Sequence, residues 1–98
     1  MGYTSLMIKS FEHKGLEDFF YDETTKGIQA SHADRLRLRL DRLHNAQTVE
    51  DMNVAGFSLH KLKGKLKEHW SVRVSGNWRL TFQFKDGHAY VVDYQDYH

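Results

Sequence analysis

The C-terminal third of the chain alternates apolar and polar residues. Trp70, Val72 and Val74 are interleaved with Ser71, Arg73 and Ser75. Trp78, Leu80, Phe82 and Phe84 are interleaved with Asn77, Arg79, Thr81 and Gln83. A period of two marks strands with one buried and one open face. Ser75-Gly76-Asn77 reads as a turn between these strands, and Asp86-Gly87 as a hairpin connection into a last strand over residues 88–94. The N-terminal half has another rhythm. Leu16, Phe19 and Phe20 recur at helical spacing and predict a short helix over residues 15–25, with Gly27 as its C-terminal cap. Ala33, Leu36, Leu40 and Leu43 form the stripe of a longer helix that Ser31 caps and that ends near Asn45. Residues 7–11 read as a short strand and residues 46–57 as a loop or frayed turn. One strand, two helices and then three or four antiparallel strands predict an α+β domain, with both helices on one face of a small twisted sheet.

This arrangement has a chemical consequence. If Trp78, Leu80, Phe82 and Phe84 face the helices, Arg79, Thr81 and Gln83 face away, and Arg73 joins them from the neighbouring strand. A sheet face carrying arginines, backed by the basic segment 59–67, is a polar groove rather than a second core.

Composition narrows the class. Ninety-eight residues make one domain, with residues 1–6 a possible extension ahead of a start at Met7. No apolar run approaches the roughly 18 residues that a membrane span requires. The first residues have no basic and apolar leader pattern, and cysteine is absent, so the expected location is cytoplasmic. Net charge is only +1, but residues 54–85 hold seven Lys/Arg against a single acid, Glu68. Such a local field attracts polyanions whatever the charge of the whole. Arg35, Arg39 and Arg42 on the second helix, with Lys61, Lys65 and Lys67, are candidates for an RNA or ribosome surface; a solvated helix face is the other reading of the arginines. No Gly-rich phosphate loop, Gly-x-Ser-x-Gly elbow or metal-ligand spacing of histidines occurs, so no cofactor or metal is expected.

The chain ends Asp93-Tyr94-Gln95-Asp96-Tyr97-His98, a carboxylate, phenol and imidazole together. RNA supplies its own nucleophile, the 2′-hydroxyl. A protein that cleaves it need only remove that proton, stabilise the phosphorane and protonate the leaving 5′-oxygen. His60 and His98 are the candidate acid and base, in either order, and Asp96 either shares the base role or orients an imidazole. Arg79 suits the scissile phosphate through bidentate contact, with Lys63 and Arg73 as further phosphate-binding cations. Tyr97 offers a stacking face or a hydroxyl. Trp70 and Trp78 are expected in the core.

Leu59-His60-Lys61-Leu62-Lys63-Gly64, His69-Trp70-Ser71-Val72-Arg73-Val74, Asn77-Trp78-Arg79-Leu80-Thr81-Phe82 and the terminal Asp96-Tyr97-His98 resemble the HigB toxins of the RelE superfamily. The likeness runs from Met7 to His98. It departs at Val74-Ser75-Gly76, where some relatives carry an arginine; here the nearest is Arg73. The resemblance implies a RelE-like fold and a ribosome-dependent endonuclease that cuts messenger RNA in the A site of the 70S ribosome, in contact with 16S rRNA. It places the active site on His60, Lys63, Arg79, Asp96, Tyr97 and His98. It also implies a HigA-like helix-turn-helix antitoxin, through which operator DNA is met only indirectly. The alternative is a noncatalytic ribosome- or RNA-binding inhibitor, or a corepressor partner.

Overall fold

A computed structural model describes residues 7–97. Among these residues the elements are β1 (Met7–Ile8), α1 (Lys14–Asp22), α2 (Ala33–Asn45), β2 (His60–Lys61), β3 (Trp70–Ser75), β4 (Trp78–Lys85) and β5 (His88–Asp96), with three 3₁₀ turns. The sheet order is β1-β5-β4-β3-β2. Every pairing is antiparallel except that of β1 with β5. The α+β architecture with two helices on a small twisted sheet is therefore as expected. The last strand is longer than its apolar pattern indicates, because backbone pairing carries it to Asp96 opposite Trp78.

The core lies between the helices and one sheet face. Leu16 and Phe19 of α1 and Leu36, Leu40 and Leu43 of α2 meet Val72, Leu80, Phe82, Val92 and Tyr94. Trp70 and Trp78 pack against this cluster from its margin. Met52 and Phe57, from a segment without periodicity, are also buried in it. They are delivered by a 3₁₀ turn (Val49–Met52) whose capping box joins Thr48 and Asp51. The Asp51 carboxylate accepts the Gln47 and Thr48 amides, which holds its pKa below the ordinary value.

Three local features differ from the sequence reading. Helix α1 stops at Asp22, with Glu23 in the left-handed region at φ 60°. Gly27 does not cap it but packs on Gly15, where an added Cβ would lie 2.5 Å from the Gly15 Cα. Ser31 does not cap α2; it sits in a 3₁₀ turn (Ala30–His32) that precedes the helix. The turn aims His32 inward, where its Nδ1 lies 2.6 Å from the Tyr94 hydroxyl. Arg39 is the third departure. It is only 7% exposed, its Nε donates to the Arg73 carbonyl at 2.6 Å, and its guanidinium lies 4.4 Å above the Phe57 ring. Arg39 therefore fastens α2 to β3 instead of standing on a solvated face. Burial, with Arg35 and Arg73 nearby, lowers its pKa.

The irregularity in β5 matters most for function. Gln83 pairs with Tyr90 and Thr81 with Asp93, so Val91 and Val92 together face the single residue Phe82. Val91 takes φ 47°, an unusual conformation for a β-branched residue. Its amide donates to the Ser10 hydroxyl at 2.8 Å, and the Val92 amide to the Ser10 carbonyl at 3.0 Å. The extra residue exchanges the faces of the strand. Before it, Ala89 points to the core; after it, Val92 and Tyr94 do, leaving Asp93 and Gln95 on the open side.

Two outcomes follow from this packing. Gly15→Ala drives a Cβ to within 2.4 Å of the Gly27 carbonyl oxygen, and the variant should lose about 1–3 kcal/mol in urea unfolding. The His32 pKa is lowered, by burial first and Arg35 second, so the fold favours neutral imidazole. This contribution is fully present above the ordinary value of about 6.5 and is lost as pH falls towards the lower folded value. The unfolding midpoint should therefore drop between neutral and mildly acidic pH, less steeply in His32→Asn.

Candidate functional site

Residues directly opposed across antiparallel strands project to the same face. The register therefore lays out the open side in rows. His60 of β2, Ser71 of β3, Thr81 of β4 and Asp93 of β5 form one row. Arg73, Arg79 and Gln95 form the next. Three of the expected site residues, His60, Arg73 and Arg79, thus share one surface.

Arg73 and Arg79 are directly opposed like charges, which is unfavourable unless an anion lies between them. The Arg73 Nε reaches the Gly76 carbonyl at 3.3 Å. Arg79 is half-buried, and its Nη1 is buried without a hydrogen-bond partner. Buried donors ordinarily find acceptors, and an unsatisfied guanidinium hydrogen costs on the order of 1–3 kcal/mol. The Ser71 Oγ and His69 Nδ1 nearby are also buried without partners. Three buried polar atoms with unused hydrogen-bonding capacity therefore lie on or beside the open face.

The edge of the sheet supplies exposed charge. His60 is exposed, and its Nδ1 lies 3.3 Å from the Ser58 carbonyl. A carbonyl can only accept, so that contact puts the proton on Nδ1 and leaves Nε2 free to take one. Lys61 lies on the other face, its ammonium 5.7 Å over the Trp70 ring. Lys63, Lys65 and Lys67 are exposed on the connection around a 3₁₀ turn (Gly64–Leu66). Gly64 takes φ 70° with open space about its α-carbon, the conformation that brings Lys63 and Lys65 around the bend. Arg35 and Arg42 stay exposed on α2, away from the open face; Arg42 Nε donates to the Asp51 carbonyl at 3.0 Å.

The tail reaches the same corner from another direction. Asp96 pairs with Trp78 and so leaves the sheet on the helix side, beside Tyr94, whereas Arg79 leaves on the open side. The Tyr97 amide donates to the Asn77 carbonyl at 2.8 Å, which ties the tail to the β3–β4 turn. Acid and guanidinium therefore flank one sheet corner from its two faces. His98 lies outside the described residues.

Beside the arginines lies a groove of about 330 Å³, lined by Glu12, Leu66, His69, Thr81, Gln83, Val91, Asp93 and Gln95. Gln95 bridges Thr81 and Asp93, its Nε2 donating to Oγ1 at 3.3 Å and to Oδ2 at 2.8 Å. The lining holds two carboxylates and two amides but no Lys or Arg. Periodicity gives no sign of Glu12 or His69, which arrive on connections, and the position of Asp93 depends on the bulge. The signal within the sequence was the polar alternation Thr81, Gln83 on β4.

A sheet face with opposed arginines, an edge imidazole and a lysine loop makes this a small α+β protein with a positively charged open face. Comparison with known proteins makes this specific. Residues 9–98 match the family model of the RelE-like toxin of the type II toxin–antitoxin system HigB. The chain is 45% identical over 92 residues to the Endoribonuclease HigB of Proteus vulgaris, covering 94% of this chain and all of that protein. It is 35% identical over 85 residues to Toxin HigB-1 of Vibrio cholerae, covering 85% of this chain and 90% of that one. The chain belongs to the HigB-like toxin family. No helix among the described residues is long and apolar enough to cross a membrane.

An anion between Arg73 and Arg79 would relieve their repulsion, so inorganic phosphate should raise the thermal midpoint saturably. At a hundredfold excess over its Kd, the gain is about 2.7 kcal/mol. Arg79→Ala should lose most of that increment in differential scanning fluorimetry.

Proposed function

We propose that this toxin is a ribosome-dependent endoribonuclease that cuts messenger RNA in the A site by attack of the RNA's own 2′-hydroxyl. The observation that carries the reading is the unsatisfied Arg79 guanidinium facing Arg73, on the surface that also presents His60. The scissile phosphate sits on Arg79, which stabilises the charge that builds on the phosphorane oxygens. Arg73 and Lys63 contribute further positive potential.

The proton transfers fall to His60 and to the tail. With Nδ1 engaged by Ser58, His60 offers a free Nε2 for the 2′-hydroxyl proton. His98 then protonates the 5′-oxygen, with Asp96 sharing the base role or orienting an imidazole; the exchanged assignment uses the two histidines in reverse. Tyr97 provides a stacking surface or hydroxyl at the rim. No metal is needed, because RNA supplies the nucleophile and the guanidinium supplies the charge. The acidic, amide-lined groove suits an uncharged base of the message better than a phosphate, since Glu12 and Asp93 would repel the latter.

Family membership supports a toxin held in check by an antitoxin, which we take to be a HigA-like protein with a helix-turn-helix domain that represses its own operon. Lys61, Lys65 and Lys67, together with Arg35 and Arg42, supply the positive surface for 16S rRNA. Cytoplasmic action follows from a ribosomal substrate.

Primer extension on translating ribosomes tests the reading directly. Codon-specific new 5′ ends in the presence of toxin are expected; translation arrest with intact message would instead make it a noncatalytic blocker. Arg79→Ala should fold and lose about 10²–10³-fold in cleavage rate, enough to abolish growth arrest on overexpression. Removing Tyr97 and His98 should cost about 10²–10⁴-fold, the range for loss of a positioned acid or base.

A further inference from the structure

The last strand ends in the residues assigned to chemistry, and terminal residues usually fray. Something must hold this end. On the open side the tail has its backbone pairing with β4 and the Tyr97 amide bond to Asn77. On the helix side a buried polar contact accompanies it. Tyr94, two residues before Asp96, is 4% exposed, and its hydroxyl lies 2.6 Å from the His32 Nδ1. The Gln29 amide donates to the same hydroxyl at 3.4 Å. The Tyr94 ring packs on Trp78 with centroids 4.5 Å apart, and Trp78 is the cross-strand partner of Asp96. His32 completes the cluster, its ring 5.8 Å from that of Trp78.

We propose that His32 and Tyr94 are positioning residues for RNA cleavage: their buried hydrogen bond, through Trp78, fixes the end of β5 and so sets where Asp96 and Tyr97 stand against Arg79. The inference rests on the nuclease reading above. Neither residue reaches the open face. Tyr94 is buried in the core with Leu80 and Val92, and His32 is buried against Tyr94 and Trp78. Their influence on the reaction is therefore carried by placement alone. Tyr94 is buried, and losing the imidazole removes the shorter of the two bonds to its hydroxyl and leaves the long one from Gln29. Burial raises the Tyr94 phenol pKa, the Gln29 amide bond lowers it, and the Asp96 carboxylate adds a smaller upward push. The link to sequence is exact in position: one turn before α2 meets the residue two before the tail acid.

The test separates positioning from packing. Tyr94→Phe keeps the ring against Trp78 and removes only the hydroxyl, so it should fold. Single-turnover cleavage at saturating toxin on programmed ribosomes should slow about tenfold or more in Tyr94→Phe and in His32→Ala, with half-saturation unchanged, because misplacement of reacting groups acts on rate. The double variant should be no worse than the poorer single one. His32→Asn, which restores a hydrogen-bonding group near Nδ1, should recover much of the rate. Amide exchange at Gln95, Asp96 and Tyr97 should quicken in the slow variants and not in β3. Unchanged rate and exchange in Tyr94→Phe, or a lowered melting temperature with full activity, overturns the proposal. A wild-type toxin that cuts nothing sinks the nuclease reading, and the exchange at the tail then decides on its own whether the pair holds that end.

Discussion

A single extra residue in β5 decides what the open face of this toxin contains. Val91 and Val92 share one partner, Phe82, and Val91 accepts a left-handed backbone that its branched side chain disfavours. Residues in sparsely populated backbone regions persist only where surrounding contacts over-determine them. Here those contacts come from the N-terminal segment. Ser10 accepts both the Val91 and the Val92 amide, and the Glu12 amide donates to the Val92 carbonyl at 2.8 Å. Without the bulge, the parity set by Ala89 would bury Asp93 and Gln95 and expose Val92 and Tyr94. The core and the groove would both be lost, so the short segment from β1 to α1 supports the two faces of a strand about eighty residues away.

Charge is distributed with the same economy. Among the described residues, Arg39 is the one Lys or Arg that is buried; it spans α2 and β3 and stacks on Phe57. Arg73, Lys63, Lys65 and Lys67 stay exposed. Arg73 and Arg79 oppose one another, and the Arg79 Nη1 has no acceptor, a local cost that the rest of the core must offset. Such a cost is intelligible where the missing acceptor is a phosphate oxygen. Lys14 forms salt bridges with Glu17 and Asp18, and Arg37 with Glu23, all on the helix side of the sheet.

The corner formed by the end of β5 and the turn between β3 and β4 brings together groups from both sides of the sheet. Arg79 approaches from the open face and Asp96 from the helix face, with Tyr97 tied to Asn77 between them. A ligand bound there would meet a guanidinium on one flank and a carboxylate on the other, and a twisted sheet edge makes that geometry accessible. The helix-side contacts of Tyr94 and His32 lie directly behind this corner, so the core packing and the site share residues rather than merely adjoining.

Much of this was legible in the residues themselves. Period-two alternation from Trp70 to Phe84 determined two strands and the face on which Arg73, Thr81, Gln83 and Arg79 stand, because pleating is local. Leu16 with Phe19 and Leu36 with Leu40 and Leu43 determined the helices for the same reason. The Asp86-Gly87 turn and the surplus of positive charge between residues 54 and 85 were equally plain. Other features depended on contacts between distant parts of the chain. The burial of Met52 and Phe57, the inward turn of His32 and the diversion of Arg39 to the Arg73 carbonyl each need a partner more than fifteen residues away. So does the reversal of faces at Val91, which Ser10 stabilises across a parallel pairing. Alternation reports the backbone's own repeat; where the repeat is broken by a partner elsewhere, only the assembled fold can say which way a side chain turns.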